Sequence, residues 1–202
     1  MSKNLLYPIF IKPDNLRILI VGGGPVAEEK VTFLLKNTTP ASLKVVSREF
    51  TPDFLDLIKD QERVIVEKSA YQRHHLEEVN MVIVAANNLE LNTVVKSDAR
   101  ERNIWVNVAD QPEACDFYLG GVVSRGDLKI AISTNGKAPI LARRIRKYLE
   151  ESIPEETEQL VDNLGFIRNQ LHGDFSKKLK DLLTLTQDFV HEQHQRVEPP
   201  FR

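Results

Sequence analysis

Only one cysteine, Cys115, occurs in the 202 residues. No disulfide can close within the chain, and the composition suits a reducing compartment, so a cytoplasmic location is expected. No apolar run approaches the roughly 20 residues of a transmembrane helix. The opening Met1-Ser2-Lys3-Asn4 lacks the long apolar core of a secretory signal, so no membrane association is expected. Excess charge is lacking too: 27 basic and 29 acidic residues give a net charge of −2. That balance argues against a polyanion-coating protein, and no nucleic-acid partner is expected, although a local basic patch remains open. Metal signatures are equally scarce. His74-His75, His172, His191 and His194 make no compact set and Cys115 has no paired cysteine, so the sequence assigns no metal ligands. Clear repeats and low-complexity linkers are absent.

What the chain does have is a strand running into a glycine turn. Leu16 to Val21 is apolar, Gly22-Gly23-Gly24-Pro25-Val26-Ala27 follows, and a helix begins near Pro25. Gly22, Gly24 and Ala27 fit G-x-G-x-x-A, the spacing of a dinucleotide cradle. The first glycine permits the tight turn, the second lets backbone approach a pyrophosphate, and Ala27 lets the helix lie close to the sheet. The phosphates would rest on the helix N-terminus, where unpaired N–H groups and the dipole favour negative charge. Proline is tolerated at an early helical position because no intrahelical bond is lost there. A structural glycine turn without a ligand is the competing interpretation.

Strand and helix patterns then alternate. Strands are expected at Leu43 to Val46, Val64 to Val66, Met81 to Ala86 and Ile104 to Val108. A short helix is expected at Phe54 to Ile58, a helical crossover at His74 to Glu78 and a longer helix at about Leu89 to Arg102. This alternation predicts a parallel sheet with right-handed crossovers in the order 3-2-1-4-5. Ligands should gather beyond its carboxyl edge, at Gly22 to Gly24, Ser47, Ala85 to Asn88 and Asn107 to Asp110. After Asp110 the pattern changes to a hairpin, with strands at Phe117 to Val123 and Leu128 to Ser133 around Ser124-Arg125-Gly126-Asp127. Pro139 opens an amphipathic helix to about Ser152, and Pro154 ends it. Further helical pattern runs from Glu155 to His191, carried by Leu160, Leu164, Ile167, Leu171, Phe175, Leu179, Leu182 and Leu183. Gln193 to Arg202 resembles a frayed polar tail. The expected divisions are 1–113, 114–150 and 151–202.

Several polar residues are candidates for the site, each with a plainer alternative. Where a Rossmann fold offers an acid to the adenosine ribose, this chain has Ser47-Arg48-Glu49. Ser47 can hydrogen-bond a hydroxyl, Arg48 can face a 2′-phosphate and Glu49 is a third option, so NAD and NADP are not separated. Ala86 and Asn107 join the cofactor candidates from the carboxyl edge. Asp110 can handle a proton or orient a substrate, or it can simply stabilise its loop; Asn107 can satisfy its own turn. The Ser133-Thr134-Asn135-Gly136-Lys137 loop and the cations Arg143, Arg144, Arg146 and Lys147 can hold carboxylates. The alternatives for that patch are a solvated helix face or an interface for an acidic partner.

Taken together, four segments resemble the precorrin-2 dehydrogenase and sirohydrochlorin ferrochelatase family, which includes the N-terminal part of sirohaem synthases. They are Leu6-Tyr7-Pro8-Ile9-Phe10, the Gly22 to Ala27 cradle with Lys30, Asn107-Val108-Ala109-Asp110, and Ala131 to Pro139 followed by Arg143 to Arg146. The resemblance implies an α/β fold: a Rossmann-type parallel sheet as the NAD-binding domain (1–113), a small α+β dimerisation module (114–150) and a helical C-terminal module (151–202). It implies a homodimer that oxidises precorrin-2 to sirohydrochlorin with NAD, Asp110 being the catalytic residue. Ferrous-ion insertion is also implied, with iron as substrate rather than structural metal. Precorrin-2 would be held by Asn107, Asp110, Phe117, Ser133, Thr134, Asn135, Gly136, Lys137, Arg143 and Arg144. Two departures stand out: Ala109 replaces a common valine, and Gly120-Gly121 follows Phe117 where proline is frequent. No segment large enough for uroporphyrinogen methylation follows, so that activity is not expected. A non-catalytic NAD-sensing dimer with a protein partner is the alternative function.

Overall fold

A computed structural model describes residues 4–170, 177–178, 180 and 182–184. His172, His191, His194, Leu171, Phe175, Leu179 and the 193–202 tail lie outside the described residues. The chain divides into two compact units, Met1–Leu119 and Gly120–Arg202.

The first unit is a five-stranded parallel sheet in the order β3-β2-β1-β4-β5, as the alternation predicts. Its strands are β1 (Arg17–Val21), β2 (Ser42–Ser47), β3 (Val64–Lys68), β4 (Met81–Val84) and β5 (Trp105–Val108). Between them run α1 (Pro25–Asn37), α2 (Pro52–Ile58) and α3 (Leu89–Glu101). The expected crossover at His74 to Glu78 is a single 3-10 turn, Arg73–Leu76. Strand residues alternate between two buried faces, as they must when helices cover both sides. Ile18, Ile20, Leu43, Val45 and Ile83 pack with Val31 and Leu34 of α1 and Phe54 of α2. Leu19, Val21, Val46, Val82, Val84, Val106 and Val108 pack with Val95 and Ala99 of α3.

Helix starts are set locally. The Thr51 hydroxyl accepts from the Phe54 N–H and the Asn88 side chain from the Leu91 N–H, satisfying donors that a first turn leaves open. No side chain caps α1, whose N-cap is Gly24 and whose first residue is Pro25.

β1 lies between β2 and β4, so the chain leaves its carboxyl end toward one neighbour through α1 and returns to the other side afterwards. That reversal is the switch point at which open α/β sheets bind ligands.

The second unit holds an antiparallel hairpin of β6 (Gly121–Arg125) and β7 (Leu128–Ile132), then α4 (Pro139–Ser152) and α5 (Thr157–Gln170). Gly126 takes a positive φ of 54° in the two-residue loop. Arg125 is the last residue of β6, not part of the loop. Its guanidinium donates to Ile153 O at 2.9 Å and to Glu150 O, covering carbonyls at the end of α4.

The sequence pattern misplaces two boundaries here. Phe117–Gly120 is not strand, and the break between units falls after Leu119 rather than after 113. Both have one cause: Asp116 accepts from the Val106 N–H at 3.0 Å, Phe117 O accepts from Asn107, and Phe117 and Leu119 pack on the α1 face of the sheet. Tertiary packing thus keeps this apolar run in the first unit.

Candidate functional site: a cleft at the switch point

A cleft of about 840 Å³ opens at the carboxyl edge of the sheet. Its walls are the Gly22–Val26 turn, Ser47 and Glu49–Thr51 after β2, Ala85–Leu89 with Asn92 after β4, and Ala109–Gln111 after β5.

The three glycines play different parts. Gly22 has φ +133°, and a Cβ there would lie 2.4 Å from Ala85 O, so no side chain fits. At Gly23 a Cβ would meet Glu49 O at 2.4 Å and Phe50 Cδ1 at 2.6 Å. A Cβ on Gly24 would meet nothing within 4 Å: it would enter open space bordered by the cleft. Bare backbone at that point, followed by the uncapped N-terminus of α1, fits the pyrophosphate of a dinucleotide. Ala27 is fully buried under the helix, where only a small side chain lets α1 approach the sheet.

Asp110 sits just past β5 in the left-handed region, φ 60°, with its side chain exposed at the cleft. Such backbone is tolerated by aspartate better than by most residues. No described residue pairs with its carboxylate. The loop beneath is held by Cys115, whose thiol lies 3.2 Å from Val108 O and 3.3 Å from Gln111 O. Burial pushes that thiol's pKa up, and its sulfur serves as a hydrogen-bonding clip for the loop.

Asn92 ties the two walls together. It is 5% exposed. With its amide turned to satisfy both ends, the nitrogen donates to Asn88 O at 2.9 Å and Ala86 O at 3.2 Å, while the oxygen accepts from Gln111 Nε2 at 3.2 Å.

Of the cofactor candidates, Gly22, Gly23, Gly24, Pro25, Val26, Ser47 and Ala86 line the cleft, as does Asp110. Three candidates require correction. Arg48 does not line it: Ser47 and Glu49 border the cleft, while Arg48, at the bend that follows β2, is exposed outside its walls. Asn107 is buried, its amide donating to Phe117 O at 2.8 Å and reaching Cys115 Sγ at 3.5 Å, so it is spent on structure. Phe117 packs on the sheet face. Local sequence pattern does not reveal Phe50, Thr51, Leu89, Asn92 and Gln111 as cleft residues; the Asn88 and Thr51 caps are the available signal for two of these walls.

In the second unit, Ser133–Lys137 forms the β7–α4 loop. Asn135 and Gly136 both take positive φ, 53° and 72°. The Ser133 and Thr134 hydroxyls accept from the Asn135 and Ala138 N–H groups. Arg143 and Arg144 are exposed on α4.

The structure also brings together Glu67, His74 and His75, with potential ligand atoms within 4.8 Å of one another. His75 settles their role. Its Nδ1 accepts from the Gln72 N–H at 2.8 Å, so Nε2 carries the proton and donates to Glu67 Oε1 at 2.8 Å. Both ring nitrogens of His75 are occupied, so Glu67 and His75 form a structural hydrogen bond, with the His74 ring 4.1 Å from that of His75.

Comparison with known proteins now applies. The model of a family described as NAD(P)-binding matches residues 9–121, more than half of the chain. A second, described as sirohaem biosynthesis protein, central, matches residues 125–152. The chain belongs to the family described as NAD(P)-binding. It is 34% identical over 169 residues to the sirohaem synthase of Ruthia magnifica subsp. Calyptogena magnifica, covering 84% of this chain and 35% of that protein. To the sirohaem synthase of Pseudoalteromonas translucida it is 36% identical over 168 residues, covering 83% and 35%. The chain therefore spans about a third of the length of these curated relatives. Its fold matches a solved structure, SirC, a precorrin-2 dehydrogenase, with TM-score 0.72 at 22% identity, over 94% of this chain and 100% of that one. Among the described residues no helix is long and apolar enough to cross a membrane.

Proposed function

We propose that this family member oxidises precorrin-2 to sirohydrochlorin with NAD. The observation that carries the proposal is one cleft bordered on one side by the Gly22–Val26 cradle and on the other by the carboxylate of Asp110, which has no partner among the described residues. The relatives' names, sirohaem synthase and precorrin-2 dehydrogenase, suggest the substrate class. Bound NAD would accept a hydride from the reduced tetrapyrrole, and loss of one proton completes the two-electron oxidation. The chain's part is to position and to move that proton. Backbone N–H groups at the start of α1 hold the phosphates, and Asp110 receives the proton or orients a pyrrole N–H. No lysine or arginine lines the cleft among the described residues, so pyrophosphate binding falls to backbone dipoles. The Ser133–Lys137 loop with Arg143 and Arg144 offers donors for the substrate's carboxylates.

A homodimer is part of the same proposal. α4 has no buried residue, and Ile140 (73% exposed) and Leu141 (47%) present apolar surface that a second copy would cover.

The test is anaerobic turnover of precorrin-2 with NAD, followed through sirohydrochlorin absorbance. Asp110→Asn should lower kcat by about 100-fold or more while NAD affinity and melting temperature stay unchanged. Wild-type turnover in that variant removes Asp110 from the mechanism. NAD binding without any turnover of the native chain favours a sensing role instead. Adding ferrous ion to the product, against a protein-free control, tests metal insertion separately.

A further inference from the structure

Asp110 occupies a turn position that aspartate does not favour unaided. The Gln111 N–H donates to Val108 O at 3.3 Å, which closes a four-residue turn with Asp110 in third place. Its φ of 60° is the positive value for which glycine or asparagine is usual there. Such a turn relaxes by rotating its central peptide, and that rotation would re-aim the Asp110 side chain.

Contacts on both flanks oppose the rotation. On the strand side the Ala109 N–H donates to Val84 O at 2.9 Å, extending the β4–β5 pairing by one bond. On the far side Gln111 O accepts from the Ala114 N–H at 2.9 Å and lies 3.3 Å from Cys115 Sγ. The Gln111 side chain supplies a third tie, to a different element: its Nε2 donates to the Asn92 side-chain oxygen on α3 at 3.2 Å. Asn92 is not free to turn away. Its nitrogen serves Asn88 O and Ala86 O, and the side chain is buried. Losing the Gln111 donor would leave a buried acceptor unpaired, which favours keeping the bond. Ala86 and Gln111 both line the cleft, so the bridge fixes the loop after β5 against the loop after β4.

We propose that Gln111, held by Asn92, is a positioning residue that aims the Asp110 carboxylate into the cleft. The inference rests on the role proposed for Asp110 and adds the side chains that fix its direction. A reacting group held in one orientation spares the transition state the cost of finding it.

The experiment compares Gln111→Leu in the native and Asp110→Asn backgrounds, using anaerobic turnover of precorrin-2 with NAD. In the native background kcat should fall by about 10-fold or more. KM for precorrin-2 and Kd for NAD should stay within about 2-fold, and the melting temperature within about 4 °C. In the Asp110→Asn background the same change should lower kcat no further, because the group it acts through is gone. Without ligands, hydrogen exchange at the backbone N–H of position 111 should quicken by about 10-fold. Tyr118→Phe removes another bond of this loop, 3.2 Å to Pro112 O, between residues that do not line the cleft, and should leave kcat at its native value. Native kcat in Gln111→Leu, an equal loss in both backgrounds, or an equal loss from Tyr118→Phe overturns the inference and leaves Asp110 in the mechanism. Native turnover in Asp110→Asn alone removes the role of Asp110, and this inference with it.

Discussion

The two units bury their apolar residues very differently. Among the described residues, every buried hydrophobic side chain except Val123 belongs to the first unit. There both faces of the sheet are covered, and Ile18, Leu19 and Ile20 are consecutive core residues pointing alternately to opposite sides. In the second, a strongly amphipathic helix has no buried residue at all. A fully buried aliphatic side chain contributes roughly 1.5–3 kcal/mol, so the first unit is stabilised by its own contacts. The second displays the kind of surface that association buries. The difference separates a unit with its own core from one whose amphipathic helix is left uncovered.

One substitution made in both places breaks or sharpens that comparison most. Ile20→Ala removes a side chain that is 0% exposed, and should cost about 2–5 kcal/mol in a denaturant melt of the first unit. Ile145→Ala removes one that is 36% exposed, and should change the melt of dilute protein by less than about 0.5 kcal/mol. Its effect should appear instead in sedimentation velocity, as a weakening of the proposed homodimer. Equal destabilisation by the two changes would mean that α4 has a covered face within its own chain.

Within the first unit, a second comparison separates folding from binding. Gly22→Ala forces a Cβ into φ +133° and to 2.4 Å from Ala85 O, and should destabilise by about 1–3 kcal/mol. Gly24→Ala places the same methyl in open space. It should leave the melting temperature unchanged and weaken NAD binding by about 10-fold, because a methyl group there keeps the pyrophosphate from the backbone. A Gly24→Ala protein that binds NAD normally would detach the cradle from the cofactor.

These contrasts also explain what the chain reveals before folding. Strand order was legible because buried parallel strands are continuous apolar runs, as at Met81–Val84, separated by helical periods. The glycine turn and Asp110 were legible because each directly follows a strand, where the carboxyl edge must lie. Phe117–Leu119 was not: its apolar composition fits a strand, and only its packing on the sheet shows otherwise. Gln111 and Asn92 were hidden for a similar reason. They meet through a hydrogen bond between segments 19 positions apart, which no local pattern encodes. Arg48 and Glu49 are the sharper lesson, since only the folded bend after β2 shows that Glu49 lines the cleft and Arg48 does not.

The smallest expected effect concerns the polar network at the edge of the first unit. Glu67 accepts from Lys44 Nζ at 2.8 Å, from His75 Nε2 at 2.8 Å and from Ser69 Oγ at 2.9 Å. These donors favour the charged carboxylate, the Lys44 bond most, and lower its pKa from 4.5 to about 2. A carboxylate whose folded pKa lies below its unfolded value contributes stability that is complete above the unfolded value. That contribution is lost as pH falls, because the unfolded chain takes up its proton first. The stability difference between the native protein and Glu67→Gln should therefore be constant above about pH 5 and shrink as pH falls from 4.5 toward about 2. Denaturant melts across that range measure it. The i,i+4 pair Lys147–Glu151 on α4 supplies the contrast: its side chains are 75% and 65% exposed, and Lys147→Ala should cost no more than about 0.5 kcal/mol. If the Glu67 difference stays flat down to pH 2, the carboxylate is not held by its three donors in solution, and the clamp joining β2, β3 and the Arg73–Leu76 turn does not operate as the geometry describes.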